Sequence, residues 1–177
     1  IRRFGFFLLE VTLSLVIVIF AVNVYFHRPV LNAFFEKGFA NPIDEAIRSH
    51  KQPDVSGYEK ADEVPYDFIR KRLSILVKYE GAHLMITKGT LPQVLGVCTR
   101  AETPAGGRVY IAAVTPQISR QFETLSSQGL RVIGLAYRDM ETASVIDKGD
   151  EQDMTFLDAL VKSRKIPFLS FRTPYRV

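Results

Sequence analysis

Apolar and polar positions divide the chain into two unequal parts. From Phe4 to Phe26 the residues are almost continuously apolar, including Val11-Thr12-Leu13-Ser14-Leu15-Val16-Ile17-Val18-Ile19-Phe20-Ala21-Val22. A helix rising about 1.5 Å per residue needs about 20 such residues to cross the hydrocarbon layer. Arg2 and Arg3 flank one end, His27 and Arg28 the other, and Tyr25 and Phe26 suit an interface. A cleaved signal peptide would show an apolar core of about 7–15 residues ending in small residues. This run is longer and closes on Tyr25-Phe26-His27-Arg28-Pro29. The pattern predicts a retained transmembrane helix with its flanks over residues 1–30. Glu10, the ionisable residue within it, lies less than two turns from Arg3 and is read as hydrated near the interface.

Beyond this segment the pattern is that of a water-exposed domain. Asn41-Pro42-Ile43-Asp44-Glu45-Ala46-Ile47 predicts a helix start, with Asn41 as N-cap, Pro42 at the first helical position and two carboxylates in the electropositive first turn. A polar stretch follows around Pro53 to Lys60. Leu73–Tyr79 and Ala82–Lys88 predict a hairpin turning at Glu80-Gly81. Thr90-Leu91-Pro92-Gln93 has capping-box spacing and opens a short helix through Val97. Thr115-Pro116 predicts the start of another helix, with Ile118, Phe122 and Leu125 on one face and Gly129 at its end. Leu130–Tyr137 predicts a mostly buried strand. This order implies an α+β domain: an antiparallel sheet with flanking helices, preceded by one transmembrane helix.

Composition adds limits. Of 177 residues 47% are hydrophobic and 24% charged, values of a folded protein. The net charge of +4 suits a membrane surface or a nucleotide without requiring nucleic acid, and no nucleic-acid-binding module is recognisable. One cysteine, Cys98, rules out an internal disulfide. His27, His50 and His83 are isolated, so no zinc spacing exists. Neither a Gly-x-x-x-x-Gly-Lys-Ser/Thr loop nor a Gly-x-Gly-x-x-Gly turn is present. Taken singly, Arg70-Lys71-Arg72 is a charge run at a strand edge, Phe68 a core residue and Lys88 a surface lysine. Glu45 is accounted for by the helix dipole.

In order, four segments carry a more specific signal: Asn41-Pro42-Ile43-Asp44-Glu45-Ala46-Ile47; Asp67-Phe68-Ile69-Arg70-Lys71-Arg72-Leu73-Ser74; Thr87-Lys88-Gly89-Thr90 with Val94-Leu95-Gly96-Val97-Cys98; and Leu130-Arg131-Val132-Ile133-Gly134-Leu135-Ala136. Together they resemble the successive motifs of the nucleotide-binding domain of P-type cation-transporting ATPases, in wording similar to the magnesium-importing branch. The start of the chain is similar to that branch's third transmembrane helix. Leu160 to Phe168 is similar to its cytosolic connection between two late transmembrane helices. The resemblance divides the chain into a membrane segment (1–30), a nucleotide-binding domain (31–157) and a basic tail (158–177).

The same resemblance implies ATP, as Mg-ATP, as ligand. Phe68 would stack on adenine with Glu45 beside it, Lys88 would lie at the nucleotide, and Gly89 would permit close approach. Arg70 and Arg131 would face the phosphates. The Asp-Lys-Thr-Gly-Thr string bearing the phosphorylated aspartate, the Thr-Gly-Glu loop and the Gly-Asp-Gly-x-Asn-Asp segment do not occur in the 177 residues. No phosphoenzyme can form without that nucleophile. The expectation is therefore an ATP-binding fragment of a magnesium-transporting pump, with no catalytic residue or metal ligand of its own. It would sit at a prokaryotic plasma membrane with the domain cytoplasmic, in contact with the bilayer and with an intact pump as a candidate partner. The alternative is a single-pass membrane protein that docks on such a pump and regulates it.

Overall fold

The computed structural model describes residues 28, 31–36, 55–103, 107–162 and 169–171. Apart from Arg28, the expected membrane helix lies outside these residues, as does the helix expected from Asn41. No helix among the described residues is long and apolar enough to cross a membrane.

Among the described residues eight strands form a single sheet. They are β1 (Glu59–Asp67), β2 (Arg72–Tyr79), β3 (Ala82–Thr90), β4 (Cys98–Glu102), β5 (Arg108–Tyr110), β6 (Arg131–Asp139), β7 (Met154–Lys162) and β8 (Leu169–Phe171). Their spatial order is β1-β2-β3-β6-β7-β4-β5, with β8 pairing β7 beyond the stretch that β4 occupies. Every pair is antiparallel except β4–β7, which is parallel. The expected antiparallel sheet is thus corrected to a mixed one. Helices α1 (Leu91–Leu95) and α2 (Ile111–Ser127) flank one face of it.

Both faces of the sheet are covered, which explains why β2 reads as a continuous apolar run rather than an alternating one. On one face Leu76, Met85, Ala136 and Phe156 pack with Leu91 and Val94 of α1 and Val114, Ile118 and Leu125 of α2. On the other, Leu73, Ile75, Val77, Ile86, Leu135 and Tyr137 pack with Leu31. Residues 31–35 are helical and form a strap on this second face. Arg28 pins its upstream end: the guanidinium reaches Glu102 Oε2 at 2.9 Å and lies 3.7 Å from the centroid of the Tyr137 ring. Tyr137 donates its hydroxyl to the same carboxylate at 2.6 Å. Burial, and then that bond, push the phenol above its ordinary pKa.

The hairpin β2–β3 turns at Glu80-Gly81 as expected, with φ of +47° and +83° and Tyr79 paired to Ala82. Two consecutive left-handed residues are what a tight two-residue hairpin requires. Gly129, at φ +74°, ends α2 as expected. Its amide donates to Ser126 O and that of Leu130 to Leu125 O, the paired bonds of a Schellman cap.

Other expectations need correction. Thr90 precedes α1 but makes no side-chain cap, and α1 stops at Leu95. Helix α2 begins at Ile111, not at Thr115, and carries Pro116 inside it. Its first turn buries Val114, so packing on the sheet carries the helix back through the proline. Thr115 instead donates to Ile111 O within the helix. Strand β1, from Glu59 to Asp67, precedes the hairpin where no strand was expected. Finally, β7 runs unbroken across the expected boundary between residues 157 and 158, burying Leu160 and Val161. Leu160 and its neighbours therefore belong to the sheet.

Candidate functional site

The ends of β1, β3 and β7 and the starts of β2 and β6 meet at one end of the sheet, because Arg72 pairs with Gly89, Thr90 with Ile133 and Arg131 with Lys162. Five of the six expected site residues (Phe68, Arg70, Lys88, Gly89 and Arg131) fall at this end. Glu45 lies outside the described residues.

Asp67 builds the turn that joins β1 to β2. Its Oδ1 accepts from the backbone N–H of Ile69 at 2.7 Å and of Arg70 at 3.2 Å, and Lys71 N donates to Asp67 O at 2.6 Å. Lys71 closes the turn in the left-handed region at φ +51°. This Asx-type closure lifts the intervening side chains off the domain. Phe68 is 77% exposed and Ile69 is 89% exposed. The Phe68 ring meets Tyr66 edge-on at 5.3 Å between centroids. Hydrogen bonds from the Lys148 ammonium and from the turn's amides hold the Asp67 carboxyl well below the usual carboxylate range. The turn is therefore an ionised, capped unit near neutral pH.

A cavity of about 250 Å³ opens beside this turn, lined by Glu36, Glu63, Tyr66, Phe68, Leu73 and Ser74 among others. Lys88 pairs across the ladder with Leu73 and Leu135, so all three share the strap-covered face. Its ammonium is buried and ion-paired with Glu36 at the end of the strap. Arg131 is exposed, lies on the same face as Leu135 by strand alternation, and makes no side-chain hydrogen bond or ion pair among the described residues.

Gly89 earns its place differently from expectation. A Cβ there would lie 2.5 Å from Lys71 O and 2.5 Å from Arg72 Cβ. The close approach that needs glycine is made by the protein's own turn, which it seats against β3.

Arg70 is the residue that the geometry withdraws from the site. Its guanidinium pairs with Glu151 and, at 3.2 Å, with Asp67 Oδ2, and also donates to Pro65 O at 3.2 Å. Arg72 Nε reaches Glu151 at 2.7 Å and Ser74 Oγ donates to it at 2.8 Å. Ser74 in turn bonds Thr87, its cross-strand partner. These groups lie on the helix-covered face, opposite Lys88. Among the described residues Arg70 is thus held by two carboxylates and a backbone carbonyl on this face, apart from Lys88.

Glu36 and Glu151 are the functional-end residues that the sequence reading missed. For Glu151 a signal existed: Asp147, Asp150, Glu151 and Asp153 form an acidic cluster that complements Arg70-Lys71-Arg72. The short helical turn Lys148–Asp150, with reciprocal Asp147 and Asp150 caps, delivers Glu151 inward. Glu36 gave no such signal, because a lone carboxylate 52 residues from Lys88 has no local pattern.

A family model described as P-type ATPase, cytoplasmic domain N, matches residues 31–161. The chain is 27% identical over 154 residues to a magnesium-transporting ATPase, P-type 1, of Salmonella typhimurium, covering 84% of this chain and 16% of that protein. It is 28% identical over 135 residues to the protein of that description in Escherichia coli, covering 72% and 15%. A calcium-transporting ATPase of Dictyostelium discoideum is 36% identical over 77 residues, 44% of this chain and 7% of that one. The chain thus spans about a sixth of the length of its magnesium-transporting relatives.

Proposed function

This chain belongs to the P-type ATPase family by its cytoplasmic domain N, and from that premise we propose that it binds an adenine nucleotide at the end of the sheet marked by Phe68, Lys88 and Arg131. The observation that carries the reading is the turn at Asp67. A family-matched domain holds out an unshielded aromatic ring, 77% exposed, beside a cavity of about 250 Å³. Exposing that ring to water is unfavourable unless a ligand covers it. A purine stacked there directs its phosphates toward cationic groups on the strap-covered face, Lys88 and the unengaged Arg131. Gly89 acts by seating the turn. Glu45 is retained as the carboxylate beside the base on the strength of the motif alone.

Within this reading the chain supplies nucleotide binding to a magnesium-transporting pump. The 177 residues contain no aspartate in the Asp-Lys-Thr-Gly-Thr context, so phosphoryl transfer and ion movement are assigned to sequence other than these residues. The apolar run from Phe4 to Phe26 is the proposed membrane helix, with the domain on the cytoplasmic side and the bilayer and the rest of a pump as partners.

The test is a titration of the isotope-labelled full chain with ATP, followed by amide chemical shifts. Shifts are expected at Asp67 to Lys71 and at Lys88 to Thr90. Base–aromatic stacking contributes about 1–3 kcal/mol per base, so Phe68→Ala should weaken ATP by roughly five- to hundredfold. Absence of shifts around Phe68 and Lys88 at millimolar ATP would refute the proposal.

A further inference from the structure

The nucleotide reading asks Lys88 to meet an anionic ligand, yet its side chain is 4% exposed and its ammonium already holds Glu36, itself 7% exposed. We infer that Glu36 is an affinity-setting residue of the same site, a built-in anion that ATP must displace from Lys88. The inference rests on the nucleotide reading and adds to it a residue that the site's motifs do not contain.

Geometry supports direct competition. Asn32 and Glu36 are four residues apart on the helical strap and so share a face. Both address β3: Asn32 Nδ2 donates to Ile86 O at 3.1 Å, and Glu36 reaches Lys88 two residues further on. The strap therefore brings a carboxylate to the end of β3 against which the Phe68 turn is seated. Glu36 also lines the cavity beside Phe68. A triphosphate whose base lies on Phe68 brings more negative charge to a spot where one carboxylate already claims the buried cation. Like charges at short range in a poorly solvated site repel strongly, so either Glu36 moves or phosphate contact with Lys88 is lost.

Displacement is mechanically local. Leu31 and Ala33, both fully buried, fix the strap upstream. Glu36 follows the last helical residue, and rotation of its own side chain releases Lys88 without undocking Leu31. The polar grip of the strap on β3 is also incomplete. Asn32 Oδ1 is buried and has no hydrogen-bond donor among the described residues, so it leaves the Glu36–Lys88 pair as the charged clasp at this end.

Glu36→Gln keeps the shape and removes the charge. In the full chain it should bind ATP at least fivefold more tightly than the parent. Adenosine, which lacks phosphates, should bind both within twofold. If the parent binds ATP and the variant binds equally or less tightly, the inference is overturned while the nucleotide reading stands; if neither binds, both fall. A measurement on the parent chain alone decides the matter should the variant not fold. The Glu36 side-chain carboxyl carbon resonance should move on saturation with ATP as the carboxylate loses its ammonium partner. A resonance that stays in place overturns the inference.

Discussion

The Glu151 carboxylate has no exposed surface and accepts from Arg70, Arg72 and Ser74 at once. A buried ion pair contributes little net stability beyond its desolvation cost, but removal of one partner leaves the others charged and unsatisfied. Glu151→Ala should therefore destabilise the domain by about 3–5 kcal/mol, read as a fall in the urea midpoint at unchanged slope. Asp67 makes a pH-dependent contribution of the opposite visibility. Its folded pKa lies below the ordinary aspartate value because Lys148 and the turn amides bind the ionised form. The unfolded state then takes up a proton first as acid is added, so the stabilisation is present above about pH 4 and is lost below it. Asp67→Asn should be less stable than the parent at pH 7, with the gap narrowing as pH falls from about 5 to 2.5. A gap that stays constant across that range would show that the carboxylate charge contributes nothing.

At the scale of elements, two glycines hold the site end together. Gly89 admits the turn bearing Phe68, and Gly134 admits α1: a Cβ on Gly134 would meet Val94 Cβ at 3.0 Å and Leu91 Cα at 3.3 Å. Overpacking of this kind costs about 1–3 kcal/mol. Gly89→Ala confronts backbone rather than a flexible side chain, so it should be the costlier of the two, and it should shift the amide resonances of Phe68 to Lys71. The same elements explain what was legible in the sequence. Hairpin β2–β3 and the end of α2 were readable because Glu80-Gly81 and Gly129 are backbone necessities written as local residue choices. Strand β1 was not, since Glu59–Asp67 is a charged, mostly half-buried edge strand whose membership in the sheet comes from β2. Strands β4 and β5 are five and three residues long and carry exposed arginines, too little for a periodic signal. The start of α2 was misread because Thr115-Pro116 is a strong local start signal, overridden by burial of Val114. At the candidate site, the motif singled out Phe68 but not its exposure, which comes from the turn at Asp67. Arg70's true partner, Glu151, was hidden by a separation of 81 residues along the chain.

For the molecule as a whole, β7 ties the sheet together: it pairs with β6 along its length, with β4 near its start and with β8 near its end. A chain cut after Leu157, where the sequence motifs suggested that the domain ends, would lose Leu160 and Val161 from the core. Burial of an aliphatic side chain is worth about 1.5–3 kcal/mol, so two of them remove about 3–6 kcal/mol before the lost ladder bonds are considered. A domain of this size has about 5–15 kcal/mol to lose, and the truncated chain should unfold without a cooperative transition, whereas a chain cut after Phe171 should keep one. Cys98 reports the difference without a ligand. It begins β4 opposite Met154 of β7, is buried, and has its thiol pushed up to about 12 by desolvation. In the intact fold the thiolate is scarce and covered, so alkylation at pH 8 should be slow and limited by opening of the sheet. In the chain ending at Leu157 the thiol returns toward its ordinary pKa near 8.5 and should react at the rate of a free cysteine. Equally slow alkylation in the two truncated chains would mean that the outer half of β7 is dispensable, and that the domain does end where the motifs stop.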